Sequence, residues 1–200
     1  MAKIKHTKNE LKAQRDALRR FERYLPTLLL KKQQLQTEMR TLDQKLSAKT
    51  GEVEALRSDM ASWVRLFSEP FDFQSCLTVT DIRISEGNIA GVNIPVLEGV
   101  DFSRQVPDLF ESPLWVDDAL AAVEQLTRLS VEQAVMERQY QLLKEELRTT
   151  TQRVNLFEKV KIPECREHIR VIRIFLGDQQ TAAVARAKIA KGKAPKEVAA

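Results

Sequence analysis

The sequence predicts a mainly α-helical protein: two long helices in an antiparallel coiled coil, with a short β-hairpin head in the connector between them. Three observations carry this. A seven-residue apolar repeat runs through the first third of the 200-residue chain. A second apolar seam of the same kind occupies the C-terminal part. Between them lies a stretch of alternating β-branched residues with turn signals.

The first arm covers residues 1–68. Stepping by seven from Ile4 gives Leu11, Leu18, Leu25, Lys32, Met39, Leu46, Val53, Met60 and Phe67, a column broken only by Lys32. Three residues on, a second column reads Thr7, Gln14, Phe21, Leu28, Leu35, Leu42, Lys49, Leu56 and Trp63. Two such columns make one seam on a helix, and that seam has to be covered by another helix. The repeat far outlasts an ordinary globular helix of about 11–12 residues. Pro26 removes a backbone donor and crowds the preceding turn, at a cost of about 3 kcal/mol. Because the heptad phase is unchanged across it, a kink in one helix is the favoured reading, with two abutting helices as the alternative.

Ser68-Glu69-Pro70 ends this arm, and residues 69–113 form the connector. Cys76–Ser85 alternates and is rich in β-branched residues, the pattern of a strand. Glu86-Gly87-Asn88 reads as the turn. Ile89–Ile94 reads as the second strand, ended by Pro95. A lone hairpin is marginal in water, so this head is expected to lean on the end of the rod or on a partner.

The second arm covers residues 114–190, with 191–200 as a flexible tail. Its seam is Leu126, Leu129, Met136, Tyr140, Leu143, Leu147, Val154 and Phe157, interrupted by Gln133 and Thr150. Near Pro163 the phase slips by one residue, to Ile162, Ile169, Ile172, Leu176 and Ala183. Such a slip locally disturbs supercoiling. Beyond Leu176 the seam thins to alanines, which suits either a fraying tail or a deliberately slim tip.

Two seamed arms around one hairpin fold back on each other most economically as an antiparallel pair. With the connector centred near residue 90, residue i faces roughly residue 181−i. That register sets the seam lysine Lys49 beside Glu132 and Phe21 beside Phe157. Sixty-odd residues at about 1.5 Å rise predict a rod of roughly 90–100 Å. Both chain ends then emerge opposite the hairpin.

Charge is unevenly spread. The chain is net +4. Residues 1–67 carry 15 Lys/Arg against 8 Asp/Glu, residues 68–113 carry 2 against 8, and residues 114–200 carry 15 against 12. The connector is acidic and the two ends are basic. No segment approaches the roughly 20 apolar residues of a membrane span, and no secretion signal is visible. With only Cys76 and Cys165, a disulfide framework is not expected. Cys165 and His168 are three apart, but the chain has too few further ligands for a zinc site. Gly87, Gly91 and Gly99 are not followed by the Lys-Ser/Thr of a phosphate loop. The basic residues are interleaved with acids and carry no aromatic cluster, the pattern of a solvated coiled-coil surface rather than of a nucleic-acid interface. No catalytic residue, cofactor or metal is expected.

The order of helix, hairpin with Asn88-Ile-Ala-Gly-Val-Asn-Ile-Pro95, and helix resembles the D subunit of V-type and A-type ATPases. Gln152-Arg-Val-Asn-Leu-Phe-Glu158, Lys161-Ile-Pro163, Ile169 and Ile172 are similar to that family's Arg-Val-Asn-x-x-Glu…Ile-Pro motif. Thr7, Leu11 and Leu28-Leu-Leu-Lys-Lys-Gln-Gln-Leu35 are similar to its Leu-rich basic segment. The resemblance implies the central-stalk rotor shaft of a rotary ATPase or ATP synthase. It implies no catalysis, a cytoplasmic site peripheral to the membrane, and H⁺ or Na⁺ as the coupled ion. The implied partners are the catalytic and non-catalytic ATPase head subunits, a small F-type central-stalk subunit, and a socket subunit above the membrane ring, with no nucleic acid and no membrane insertion. Candidate partner contacts are Lys3, Lys5, Lys8, Lys31, Lys32, Arg153, Asn155, Lys188, Lys191 and Lys193. The residues alone also admit a cytosolic coiled-coil scaffold whose hairpin offers an edge to an added strand, or a nucleic-acid-associated rod.

Overall fold

A computed structural model describes residues 4–69, 73–105 and 112–193. The elements are α1 (Lys8–Ala61), a 3₁₀ turn (Val64–Ser68), the single-turn α2 (Phe73–Cys76), β1 (Leu77–Ile89), β2 (Val92–Arg104), α3 (Val116–Leu156), a π-helical turn (Phe157–Lys161) and α4 (Ile162–Lys193). The expected mainly α fold with one hairpin is borne out. The chain divides into two compact units, one of Met1–Leu30 with Thr150–Ala200 and one of Lys31–Thr149.

Helix α1 begins on a cap. The Thr7 hydroxyl accepts from the Glu10 amide at 3.2 Å, satisfying one of the donors a helix start leaves free. The helix then runs 54 residues without interruption through the exposed Pro26, so the alternative of two abutting helices falls. From Leu11 to Phe67 every member of both heptad columns is shielded at least in part, Lys32 and Lys49 included.

In the unit of chain ends the pairing is antiparallel. The His6 and Phe175 rings are 4.8 Å apart, Phe21 and Phe157 are 5.0 Å apart, and Arg166 Nη2 donates to Glu22 Oε1 at 2.9 Å. Within this unit the buried residues of the second arm are Thr150, Val154, Ile162, Cys165, Ile169 and Ile172. Apart from one step, half-buried Phe157 to Ile162, they follow the three- and four-residue spacing of a seam. That step of five coincides with the π turn, where the Ile162 amide bonds back to the Phe157 carbonyl. The slip in the sequence is therefore one extra residue held in a π-bulge. Pro163 follows directly. It has no amide to give, which lowers the cost of breaking the α-ladder there.

The Lys31–Thr149 unit is also antiparallel. Lys31 Nζ lies 2.6 Å from Glu146 Oε1, Lys49 Nζ lies 3.1 Å from Glu132 Oε2, and Phe67 and Trp115 meet edge to face at 5.5 Å. The Lys49 contact falls on the register expected from the sequence.

The hairpin departs from expectation. Its turn is Ala90–Gly91, with φ of 52° and 78°, and its two strands of 13 residues pair from Leu77↔Arg104 to Ile89↔Val92. Two positive φ values define a type I′ turn, which matches the strand twist. The Asn88 side chain braces it, accepting from the Gly91 amide at 3.0 Å and donating to Asn93 at 2.8 Å. Gly87, expected in the turn, lies inside β1, where a Cβ would come within 2.7 Å of Val96. Pro95, expected to end the second strand, lies inside β2. A two-residue turn makes Ile89↔Val92 a hydrogen-bonded pair, so Glu86↔Pro95 is a non-hydrogen-bonded one. The missing proline amide therefore costs no ladder bond.

The hairpin is also not a head at the end of an arm. Its tip packs back on the coil: Ile94 joins Leu35 and Leu143 in one buried cluster, with Ile89, Ala90 and Val92 against it. At its base, Cys76 packs with Val116 and Leu120, and Arg104 pairs with Asp117 at 3.2 Å. Between tip and base lies a groove of about 520 Å³, lined in part by Leu42, Lys45, Val96, Arg128 and Met136.

Helix α4 continues to Lys193, while residues 194–200 of the expected tail lie outside the described residues. Positions 177–192 are exposed throughout, so the alanine-rich stretch is an uncovered helix.

Candidate interaction surfaces

The arrangement holds side chains on long helices with their seams engaged and their outer faces open. Among the described residues no three His, Cys, Asp or Glu side chains converge as a metal site. No helix is long and apolar enough to cross a membrane. Both cysteines are free and buried. Burial pushes the Cys165 thiol above its ordinary pKa, Glu164 adding to the shift and Lys161 opposing it, so it stays protonated and unreactive. The Glu52 and Glu132 carboxylates hold Lys49 above the usual lysine range. The Arg170 guanidinium holds Glu167 below the usual carboxylate range. The Lys49 and Glu167 shifts thus come from ion pairs.

The sequence-derived contact residues fall in three places. Lys5 and Lys8 lead into α1, both exposed, and Lys188 and Lys191 lie on the uncovered end of α4. Among the described residues none of these four makes a salt bridge. Lys3 and the Lys193 side chain lie outside the described residues. Arg153 and Asn155 are exposed just before the π turn. Lys31 and Lys32 belong to the other unit and are half-covered. Lys31 is engaged by Glu146, and its ammonium also stands 3.9 Å from where a Cβ on Gly91 would lie. It anchors the hairpin region rather than lying open.

Several exposed apolar residues escape a reading based on the seams. Leu29 and Leu30 on α1 are 43% and 61% exposed, and Leu156 and Val160 beside the π turn are 43% and 40% exposed. The signal is present in the sequence: Leu28-Leu29-Leu30 cannot all face one seam, and only Leu28 is in phase. On the hairpin, Val79, Ile82, Ile84 and Val96 are exposed, although their alternation suggests a half-buried sheet.

These features define a class: a two-helix antiparallel coiled-coil protein with a folded-back hairpin and open apolar and basic surfaces. The sequence profile of the ATP synthase D subunit matches residues 10–192. The chain belongs to the ATP synthase D-subunit family. Among similar proteins is the V-type ATP synthase D subunit of Borreliella burgdorferi, 46% identical over 191 residues, covering 96% of this chain and 95% of the relative. The protein of the same name from Chlamydia trachomatis serovar L2 is 35% identical over 195 residues, covering 96% of each chain. That from Chlamydia muridarum is 34% identical over 197 residues, again covering 96% of each. The resemblance drawn from the Arg153–Pro163 stretch is borne out.

Proposed function

We propose that this chain is the rotor shaft of a V/A-type ATPase or ATP synthase. It would carry torque between the nucleotide-hydrolysing or -synthesising hexamer and the ion-translocating membrane ring, and catalyse nothing itself. The observation that carries this is family membership over nearly the whole chain. The chain ends, with Lys5, Lys8, Lys188 and Lys191 making no salt bridge among the described residues, would enter the head. A small central-stalk subunit and a socket subunit above the ring would take the remaining open surfaces. The complex would sit peripherally on the cytoplasmic face of the membrane. An uncovered basic helix end suits a turning bearing, because hydrated like charges fix no single angle. An interlocked apolar socket would fix one.

The test is to purify the complex through a tag on this chain and compare it with a version truncated after Leu176. ATPase subunits should co-purify with the full chain. The truncated chain should keep its helical content, and its complex should hydrolyse ATP while losing most ATP-driven ion transport. Unchanged transport would sink the bearing role. Absence of ATPase subunits would sink the assignment itself and favour a scaffold.

A further inference from the structure

Strand β1 leaves one edge open, and its chemistry states what fits there. Among the described residues β1 pairs with β2 alone. The outer edge of β2 meets α3 at Pro95, whose carbonyl accepts from the Gln139 side-chain amide. The alternation set by the type I′ turn makes Ile84, Glu86 and Asn88 the non-hydrogen-bonded members of β1, so their amides and carbonyls point away from β2. The close Asn88–Asn93 side-chain contact is what a non-hydrogen-bonded pair produces. These three residues are exposed, whereas Ser85, Gly87 and Ile89, on the opposite face, are partly covered.

Edge strands are normally blunted by proline, lysine or shortness. β1 has no proline and no lysine, and its register runs regularly from Asp81 to Ile89 on its own side. It also carries Ile82 at 41% and Ile84 at 52% exposure. The charges beside this edge are acidic. Asp81, Glu86 and Glu98 are exposed, while Arg83 is already engaged by Asp101 at 2.6 Å. A second copy of this chain fits poorly, because two-fold antiparallel pairing centred on this stretch brings Glu86 next to its own copy, and like charges facing each other destabilise a pair.

We propose that the β1 edge over Ile82–Asn88 receives an extended strand from another subunit of the assembly. That strand would carry apolar residues on the face shared with Ile84 and a lysine or arginine opposite Glu86. Main-chain bonds to Ile84, Glu86 and Asn88 would supply affinity, and the acidic flank would supply selectivity. This rests on the rotary-complex reading above.

Amide hydrogen exchange on the isolated chain and on the purified complex tests it. In the complex the Ile84, Glu86 and Asn88 amides should exchange at least about tenfold more slowly than in the free chain, since those amides face the edge. Glu86→Pro removes one outward amide while sparing the β1–β2 ladder, as Pro95 already does across the same pair. It should leave the circular dichroism and Tm of the free chain nearly unchanged and abolish the added protection. Glu86→Lys, which keeps the amide, should reduce the protection through charge alone. Equal exchange in the free chain and in an intact complex would overturn the strand proposal while leaving the shaft assignment standing. So would added protection that survives Glu86→Pro, or concentration-dependent protection in the free chain. A chain found in no ATPase complex would overturn both.

Discussion

Replacing Ile94 by alanine should free the hairpin tip without freeing its base. Ile94 is 5% exposed and closes a cluster whose other buried members, Leu35 and Leu143, are fully shielded. The change removes three carbons, about 0.8 kcal/mol each by transfer, and leaves a cavity that the surrounding helices fill only partly. Buried Ile→Ala changes cost about 2–5 kcal/mol, and about 3 is reasonable for a site beside an open groove. At about 1.4 kcal/mol per decade, tip opening becomes roughly a hundredfold more frequent. The base cluster of Cys76, Val116 and Leu120 is separate, its nearest member 18 residues from Ile94 along the chain. Amide exchange resolves the two. The ladder amides of Gly87, Ile89 and Val92 should speed up about a hundredfold, while the Gln105 amide, bonded to the Cys76 carbonyl at 2.9 Å, should not change. Equal acceleration at both ends would mean that the hairpin opens as one cooperative unit. No acceleration at the tip would mean that Ile94 does not hold it.

Deleting Glu158 from the π turn should be tolerated, because Phe157 and Ile162 then stand four apart and the seam continues on an α-ladder; deleting Arg170 should not be, because it rotates Ile172 by about 100° off the seam and costs at least about 3 kcal/mol, which paired thermal melts would show. Lys49→Met should leave the melting temperature level or raise it: the lysine occupies a seam position, and Glu132 and Glu52 reach solvent when it is gone, so a marked drop would show that the ion pairs hold the helices. The Cys165 thiol should react with a thiol reagent at the global unfolding rate rather than at a free-cysteine rate. Its native pKa lies above the unfolded value of about 8.5, so its stabilisation is complete below that value and declines as pH rises through it; a melting temperature that increased from pH 8 to 10 because of this residue would contradict the assignment.

What could be read from the residues followed from what repeats. The heptad columns predicted α1 through Pro26, because a helix that keeps phase keeps one face toward its partner. They even predicted the Lys49–Glu132 contact, which depends only on where the connector is centred. The hairpin was legible as to kind but not to extent. Glu86-Gly87-Asn88 carries stronger turn composition than Ala90-Gly91, and Pro95 reads as a stop. Gly87 is there because Val96 crowds it, and Pro95 is tolerated because its amide would have pointed away from β1. Both facts are set by pairing register, which no local composition encodes. That the hairpin folds back on Leu35 and Leu143 was hidden for the same reason. Ile94 signals only that it must be buried, not against what.

The surfaces divide along the same line. Basic ends were visible as charge, but charge did not distinguish Lys31, neutralised by Glu146, from Lys188, which stands open on α4. The exposed apolar residues escape a seam reading because such a reading discards what is out of phase. Leu29, Leu30, Leu156 and Val160 matter because they are off the seam: a coiled coil that needed only itself would place polar residues there. They lie close in sequence to Pro26 on α1 and to the π turn after α3. A regular heptad offers a partner only the uniform outer face of a helix. A proline that frees a carbonyl and a bulge that widens a turn each make one stretch of that face unlike the rest, so a partner can recognise one axial position among many equivalent turns.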